Sequence, residues 1–132
     1  MTSLQQATVL INKADGDIHV LTILRGDIST PDEIWGFHAQ QAVEKLLKCL
    51  LVFRSIAFPF THHLLELADR LQDAGYALDV RFEPLLDLTP YAVELRYSTP
   101  GPKTAEPPLD RQAVLRLITE LRQAACTVLD RK

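Results

Sequence analysis

Four polar side chains on the second predicted helix could bind a phosphate group. They are His38, Gln41, Lys45 and Lys48, separated by three, four and three residues. This spacing places them on one face of a helix, flanked by Gln40 and Glu44. We call the four residues the polar strip. The strip is either a solvated face with an ordinary Glu44–Lys48 ion pair, or a surface for phosphate, a nucleotide or a partner helix.

Two adjacent histidines, His62 and His63, lie where a third helix is predicted to begin. The helix dipole disfavours positive charge at this end, so we expect neutral imidazoles that act as hydrogen-bonding groups. Three roles are open to them: a structural contact with a neighbouring loop, binding or proton transfer, and metal ligation. The chain has no His-Glu-x-x-His motif, so we predict no metal site.

Further candidates lie downstream at Tyr91, Arg96 and Tyr97. The planar guanidinium of Arg96 is suited to binding a carboxylate or a phosphate. The alternative is that the tyrosines pack in the core and Arg96 forms an internal ion pair.

Cys49 and Cys126 lie 77 positions apart, each within an apolar helical pattern. A disulfide scaffold or a zinc site needs more thiols at closer spacing. We therefore expect two buried thiols, and the sequence leaves open whether they approach each other.

The loop Phe58-Pro59-Phe60 carries two aromatic side chains close together. Exposed aromatic residues in a short loop usually pack against something. Either the loop contacts a partner or it folds back on its own helices, and we expect folding back for at least one ring.

The composition describes one globular domain over residues 1–132, with 47% hydrophobic and 23% charged residues. A net charge of −3 argues against a general nucleic-acid coat, although it allows a local basic patch. The sequence contains neither a signal-peptide pattern nor a window apolar enough to span a membrane. We expect a cytoplasmic protein without a cofactor.

Apolar residues at steps of three or four predict a first helix from Leu4 to about Arg25. A second helix is predicted from near Pro31 to about Phe53. Its start signals are Thr30 as N-cap, Pro31 as first residue and Glu33 as the capping-box acid.

A third helix is predicted from His62, capped by Thr61, and ending at Ala74–Gly75. A break or short helix follows around Val80–Leu88, and then a helix from Pro90 to Tyr97. Ser98–Pro108, rich in proline, predicts an extended connection. Asp110 is expected to cap a last helix. The predicted fold is therefore all-α, an antiparallel bundle of four main helices with one additional short helix.

Three motifs together resemble those of the HEPN family, a nucleotide-binding domain of higher eukaryotes and prokaryotes. The similarity covers about the whole chain and is typical of a small prokaryotic stand-alone member. Its motifs are Phe37-His38-Ala39-Gln40-Gln41-Ala42-Val43-Glu44-Lys45 followed by Lys48, Thr61-His62 before a leucine-rich helix, and Leu88-Thr89-Pro90-Tyr91-Ala92 leading into Arg96-Tyr97.

The resemblance implies a bundle of four or five helices that usually forms a homodimer. It also implies a possible partner, a minimal nucleotidyltransferase encoded beside the helical protein in a toxin–antitoxin-like pair. The residues that would bind a nucleotide, RNA or a partner protein are His38, Gln41, Glu44, Lys45, Lys48, His62, Tyr91, Arg96 and Tyr97.

The sequence departs from the pattern of the ribonuclease members of the family, which carry an Arg followed by a His after four to six residues. Seven residues separate Arg54 from His62, and no His follows Arg96. We therefore predict a binding and interaction module. The alternatives are a metal-independent endoribonuclease with a displaced pair formed by His62 and Arg96, and a purely structural homodimer.

Overall fold

Residues 1–92 and 108–130 are described by a computed structural model of the chain. Within these ranges the chain is helical and contains no β-strand, which confirms the predicted all-α fold. None of these helices combines the length and apolar character needed to cross a membrane. The elements in chain order are α1 (Ser3–Leu24), α2 (Asp32–Phe53), α3 (Leu64–Asp73), the 3-10 segment (Val80–Tyr91) and α4 (Arg111–Asp130).

Helices α1 and α2 form an antiparallel hairpin. Near the connecting loop, Trp35 Nε1 donates a hydrogen bond to the carbonyl of Leu21 at 3.1 Å. At the other end of the hairpin, the hydroxyl oxygens of Ser3 and Ser55 lie 3.5 Å apart. The face of α1 that packs inward is apolar at helical spacing, and its buried members are Ala7, Ile11, Ala14 and Leu21.

The α2 helix is the centre of the molecule, because it packs against every other element in the described part of the chain. A helix with buried residues on most of its faces belongs in a core rather than on a surface. The polar strip lies on this same helix, so its side chains are drawn into the packing. The larger buried apolar residues of α2 are Trp35, Val43, Leu46, Leu47, Leu50 and Leu51.

The predicted start of α2 near Pro31 is confirmed to within one residue, since the helix begins at Asp32, but the predicted cap is wrong. Pro31 is the cap residue, with an extended backbone (ψ 148°), and no side chain caps the helix. The hydroxyl of Thr30, the predicted N-cap, instead donates to Asp27 Oδ2 at 3.1 Å. Asp27 also accepts from the backbone N–H of Ser29 at 2.9 Å. The Thr30 hydroxyl that was predicted to cap α2 therefore stabilises the turn before the helix instead.

The predicted start of α3 is also wrong, by two residues. The helix begins at Leu64, and Thr61 Oγ1 accepts from the backbone N–H of His63 at 3.1 Å, outside the helix. The N–H of Leu64 donates to Thr89 Oγ1 at 3.1 Å. A residue 25 positions away thus satisfies the first turn of α3. The predicted end is confirmed, because α3 is followed by Gly75 at φ +92°, a conformation that favours glycine.

The segment after α3 forms 3-10 turns over Val80–Tyr91. This confirms the short helical element predicted for Val80–Leu88. Pro90 lies within these turns, which end at Ala92, where the backbone becomes extended (ψ 136°). The remainder of the helix predicted for Pro90–Tyr97 lies outside the described residues. At the last helix, Asp110 Oδ1 accepts from the N–H of Ala113 at 3.1 Å, which confirms the predicted cap.

Arg111, at the start of α4, binds the loop between α1 and α2. Its guanidinium donates to the carbonyls of Leu24 and Asp27 at 3.0 and 3.2 Å. It also donates twice to Asp32 Oδ1, at 3.0 and 2.9 Å. The Arg111 side chain is only 14% exposed, so these bonds are shielded from water. One side chain therefore links the end of α1, the start of α2 and α4.

We predict that Arg111→Ala lowers the free energy of unfolding by about 3 kcal/mol, because it leaves several carbonyls and Asp32 without their donor. Urea denaturation should show a lower midpoint with an unchanged slope. Arg116→Ala is the control, because that side chain is 68% exposed and its loss should cost under about 0.5 kcal/mol. Equal effects of the two substitutions would contradict the prediction.

Candidate functional site

Asp17 of α1 binds two members of the polar strip. Asp17 as a whole residue is only 9% exposed to solvent. Its Oδ2 accepts a hydrogen bond from Lys45 Nζ at 2.6 Å, and its Oδ1 lies 3.1 Å from His38 Nδ1. These three residues, from two helices, form what we call the Asp17 cluster.

A second carboxylate, that of Glu44, binds the other lysine of the strip. Its Oε2 accepts from Lys48 Nζ at 3.0 Å. Its Oε1 accepts from Gln40 Nε2 at 3.0 Å and lies 2.8 Å from His62 Nδ1. We call these four residues the Glu44 cluster. It connects α2 to the loop that precedes α3.

The two clusters share one arrangement, in which a carboxylate binds a histidine through one oxygen and a lysine through the other. Because a carboxylate accepts hydrogen bonds, the neutral form of each imidazole carries its proton on Nδ1. The carboxylates thus fix the ring orientation and the tautomer of both histidines. Each cluster therefore contains an ammonium group and an imidazole of fixed orientation.

The strip is not a freely solvated face. Lys45 and Lys48 are 24% and 15% exposed, and the imidazoles of His38 and His62 are 29% and 25% exposed. Each side chain is partly covered yet reaches the surface. This combination suits a shallow binding surface with ordered side chains.

Gln40 and Gln41 connect the strip to the neighbouring loop. The Gln40 side chain is fully buried and donates to the carbonyl of His62 at 3.1 Å as well as to Glu44. Its Oε1 accepts from Gln41 Nε2 at 2.8 Å. Gln41, a strip residue, therefore donates its hydrogen bond to Gln40 and not to Asp17 or Glu44.

Burial and hydrogen bonding act on the pKa of Glu44 in opposite directions. Desolvation raises the pKa, but hydrogen bonds from Gln40, His62 and Lys48, together with the charge of Lys48, outweigh it. The pKa is therefore held below its ordinary value. Glu44 remains ionised at neutral pH, so it can hold Lys48 and His62 in place.

Sequence reasoning did not select Asp17 or Gln40 as members of the site. Asp17 had a detectable signal, because it follows Ala14 and precedes Leu21 at steps of three and four on the apolar face of α1. A carboxylate on a buried face requires a partner. Gln40 had a weaker signal, one helical turn before Glu44.

The loop aromatics differ in placement. Phe58 packs against the core, which confirms that one ring folds back, whereas Phe60 is 94% exposed. Lys48 Nζ lies 5.7 Å from the centroid of the Phe60 ring, and the rings of Phe60 and His62 meet edge to face with centroids 6.0 Å apart. An exposed aromatic ring therefore borders the Glu44 cluster.

The remaining predicted site residues are Tyr91, Arg96 and Tyr97. Tyr91 packs its ring on α2 at Gly36, so closely that a Cβ added to this glycine would overlap the ring. His63 is exposed at the N-cap position of α3, and its side chain makes no capping hydrogen bond. Arg96 and Tyr97 lie outside the described residues, so their predicted roles remain predictions.

The two cysteines are free thiols. Cys49 is buried as predicted, whereas Cys126 is half-buried. Burial, reinforced by Cys126, raises the pKa of the Cys49 thiol to about 12. A thiol of this kind stays protonated at neutral pH and is a poor nucleophile. Among the residues described, no three His, Cys, Asp or Glu side chains group as metal ligands.

We predict that Glu44→Gln lowers the free energy of unfolding at pH 7 by about 2 kcal/mol, because a neutral amide cannot pair with Lys48. The lowered pKa of Glu44 stabilises the wild type only while this carboxyl is ionised. The difference between the two proteins should therefore narrow as the pH falls below about 4, where glutamate becomes protonated.

Urea denaturation at a series of pH values measures this difference. Glu83→Gln is the matched control, because Glu83 is exposed. A difference for Glu44→Gln that stays constant from neutral to acidic pH would contradict the prediction.

Comparison with known proteins identifies the family. The HEPN domain model matches residues 7–127, a range that includes the polar strip and both clusters. No curated protein and no solved structure matches the chain. The all-helical architecture agrees with the family match. The predicted resemblance is confirmed, and the chain belongs to the HEPN domain family.

Proposed function

We propose that this protein is a binding module for a phosphate-bearing ligand, either a nucleotide or RNA, and that the polar strip is its binding surface. One observation carries the proposal: the Asp17 and Glu44 clusters present two lysines and two oriented imidazoles from adjoining elements. Among the described residues, each lysine donates one hydrogen bond of the three that an ammonium group can donate. The remaining donors are suited to phosphate oxygens.

Charge sets a limit on how the strip binds. With neutral imidazoles, the two lysines are balanced by Asp17 and Glu44. Affinity would therefore come from directed hydrogen bonds at short range and not from a broad positive field. We expect a weaker salt dependence than that of a basic nucleic-acid-binding protein.

Phe60 adds an apolar component next to these donors. Its ring is 94% exposed and lies beside Lys48 and His62. An unpaired base can stack on such a ring while its phosphate reaches the lysine. This arrangement favours a nucleotide or single-stranded RNA over a duplex, whose bases are already stacked.

We predict that Lys45→Gln and Lys48→Gln each weaken the binding of a short single-stranded RNA about fivefold, because each removes one charged phosphate contact but keeps a donor for its carboxylate. Fluorescence anisotropy at several salt concentrations measures the affinity. Each substitution should also reduce the slope of log affinity against log salt by about 0.7.

Lys13→Gln is the control for this experiment, because Lys13 is an exposed lysine of α1. Its affinity and salt slope should equal those of the wild type. If Lys13→Gln weakens binding as much as the strip variants do, the strip is not the binding surface.

The family also suggests partners for this module. We propose a homodimer that associates with a small nucleotidyltransferase, in a toxin–antitoxin-like pair. Sedimentation of the purified chain measures its oligomeric state, and a nucleotidyltransferase gene beside its own would support the pairing. A dimer that binds neither RNA nor nucleotide would favour the purely structural alternative.

A second candidate function is a metal-independent endoribonuclease. The observation that favours it is the contact of a carboxylate with Nδ1 of both His38 and His62, which orients an imidazole for proton transfer. Against it stands the absence of the Arg-x(4 to 6)-His motif from the sequence.

We predict that the purified protein does not cleave RNA in the presence of a chelator, because the sequence lacks the Arg and His spacing of the ribonuclease members. Gel analysis of a labelled RNA checks this, with His62→Ala and Arg96→Ala proteins alongside the wild type. Cleavage by the wild type that falls about a hundredfold in both variants would contradict the prediction and establish the endoribonuclease. Cleavage that is equal in all three proteins would remove these two residues from any mechanism.

A further inference from the structure

A cavity lies at the C-terminal end of α2, away from the polar strip. Its volume is about 250 Å³, and its apolar walls come from α2, α3, the 3-10 segment and α4. Its larger apolar wall residues include Leu50, Leu71, Phe82, Leu121 and Val128. Lys45 of the strip and Arg54 of the cavity are nine residues apart, which is two and a half helical turns. They therefore lie on opposite sides of α2.

Two arginines line this cavity, and within the described ranges only one of them is paired with a carboxylate. Arg81 lines it and pairs with Glu120 at 2.9 Å, with Asp79 at 3.9 Å on its other side. Arg54 also lines it, and its guanidinium carbon lies 3.7 Å from the centroid of the Tyr76 ring.

Arg54 differs from the other half-buried cations in one respect. In the part of the chain that the structure describes, its guanidinium makes neither an ion pair nor a hydrogen bond. A half-buried guanidinium with five donors normally binds a carboxylate or carbonyl oxygens, as Arg111 does here. Stacking on Tyr76 holds the plane of Arg54 but leaves these donors without an acceptor among the described residues.

We propose that this cavity binds a small carboxylate whose apolar part is an aromatic ring or a short alkyl chain. The apolar part packs between Leu50, Leu71 and Val128, and the carboxylate accepts hydrogen bonds from Arg54 in the two-pronged geometry typical of arginine. The volume fits this class, because a dry cavity of about 150 Å³ already holds benzene. The proposal does not depend on the function of the polar strip.

The probe for this site is 3-phenylpropionate, with 3-phenylpropanol as the uncharged ligand of nearly the same shape. Titration calorimetry or amide chemical shifts measure both affinities for the full chain. We expect the acid to bind about tenfold more tightly than the alcohol, since only the acid can pair with Arg54. The shifted amides should include those of Leu50, Tyr76 and Val128.

Two variants separate the contributions of charge and volume. Arg54→Gln should remove the preference for the acid while leaving the affinity for the alcohol unchanged. Ala124→Leu places a larger side chain in the cavity wall and should abolish the binding of both ligands. Arg70→Gln, an exposed arginine on α3, is the control and should bind as the wild type does. Thermal unfolding checks that each variant is folded.

The outcomes are decisive in either direction. Preference for the acid that is lost in Arg54→Gln, with no binding by Ala124→Leu, supports the proposal. Equal binding of acid and alcohol, or a preference that persists in Arg54→Gln, overturns it. Failure of the wild type to bind either probe also overturns it, whether or not RNA binds the polar strip.

Discussion

The burial of the Glu44 carboxylate is the constraint on which the site depends. Glu44 lies on α2, the helix against which every other described element packs, and it is only 5% exposed. A carboxylate in this position is tolerated only when several donors pair with it. Gln40, Lys48 and His62 provide those donors. Meeting this requirement fixes the loop before α3 against α2, so the stability of the bundle and the order of the site have a common origin.

The helices could be predicted from sequence because apolar spacing reports which side of each helix is buried. The predicted caps of two helices were wrong for a physical reason: a capping pattern describes only neighbouring residues, while a cap can come from elsewhere. Thr89 satisfies the first turn of α3 from 25 positions away, and Asp27 takes the hydroxyl of Thr30. Likewise, nothing in the sequence around Arg111 indicates that it binds the loop between α1 and α2.

In the site, too, the features set by neighbouring residues were predictable, and the contacts between distant residues were not. Helix geometry was sufficient to place Lys45 and Lys48 with His38 on one side of α2. It could not show that Asp17, from another helix, would separate the strip into two clusters, because the pairing partner of a side chain depends on tertiary packing. The placement of Tyr91 against Gly36 has the same cause, since close approach of a ring to a glycine cannot be deduced from either residue alone.

The carboxylates that order the polar strip also balance the positive charges of its two lysines, and this has a consequence for recognition. A surface with a large positive potential attracts any polyanion from a distance and increases its association rate. A neutral surface with oriented donors gains energy only when phosphate oxygens lie within hydrogen-bonding distance, so misplaced anions gain little. Discrimination would then come from geometry and from a base stacked on Phe60. The acidic character of the whole chain, with a net charge of −3, strengthens this dependence, because it repels polyanions that make no specific contact.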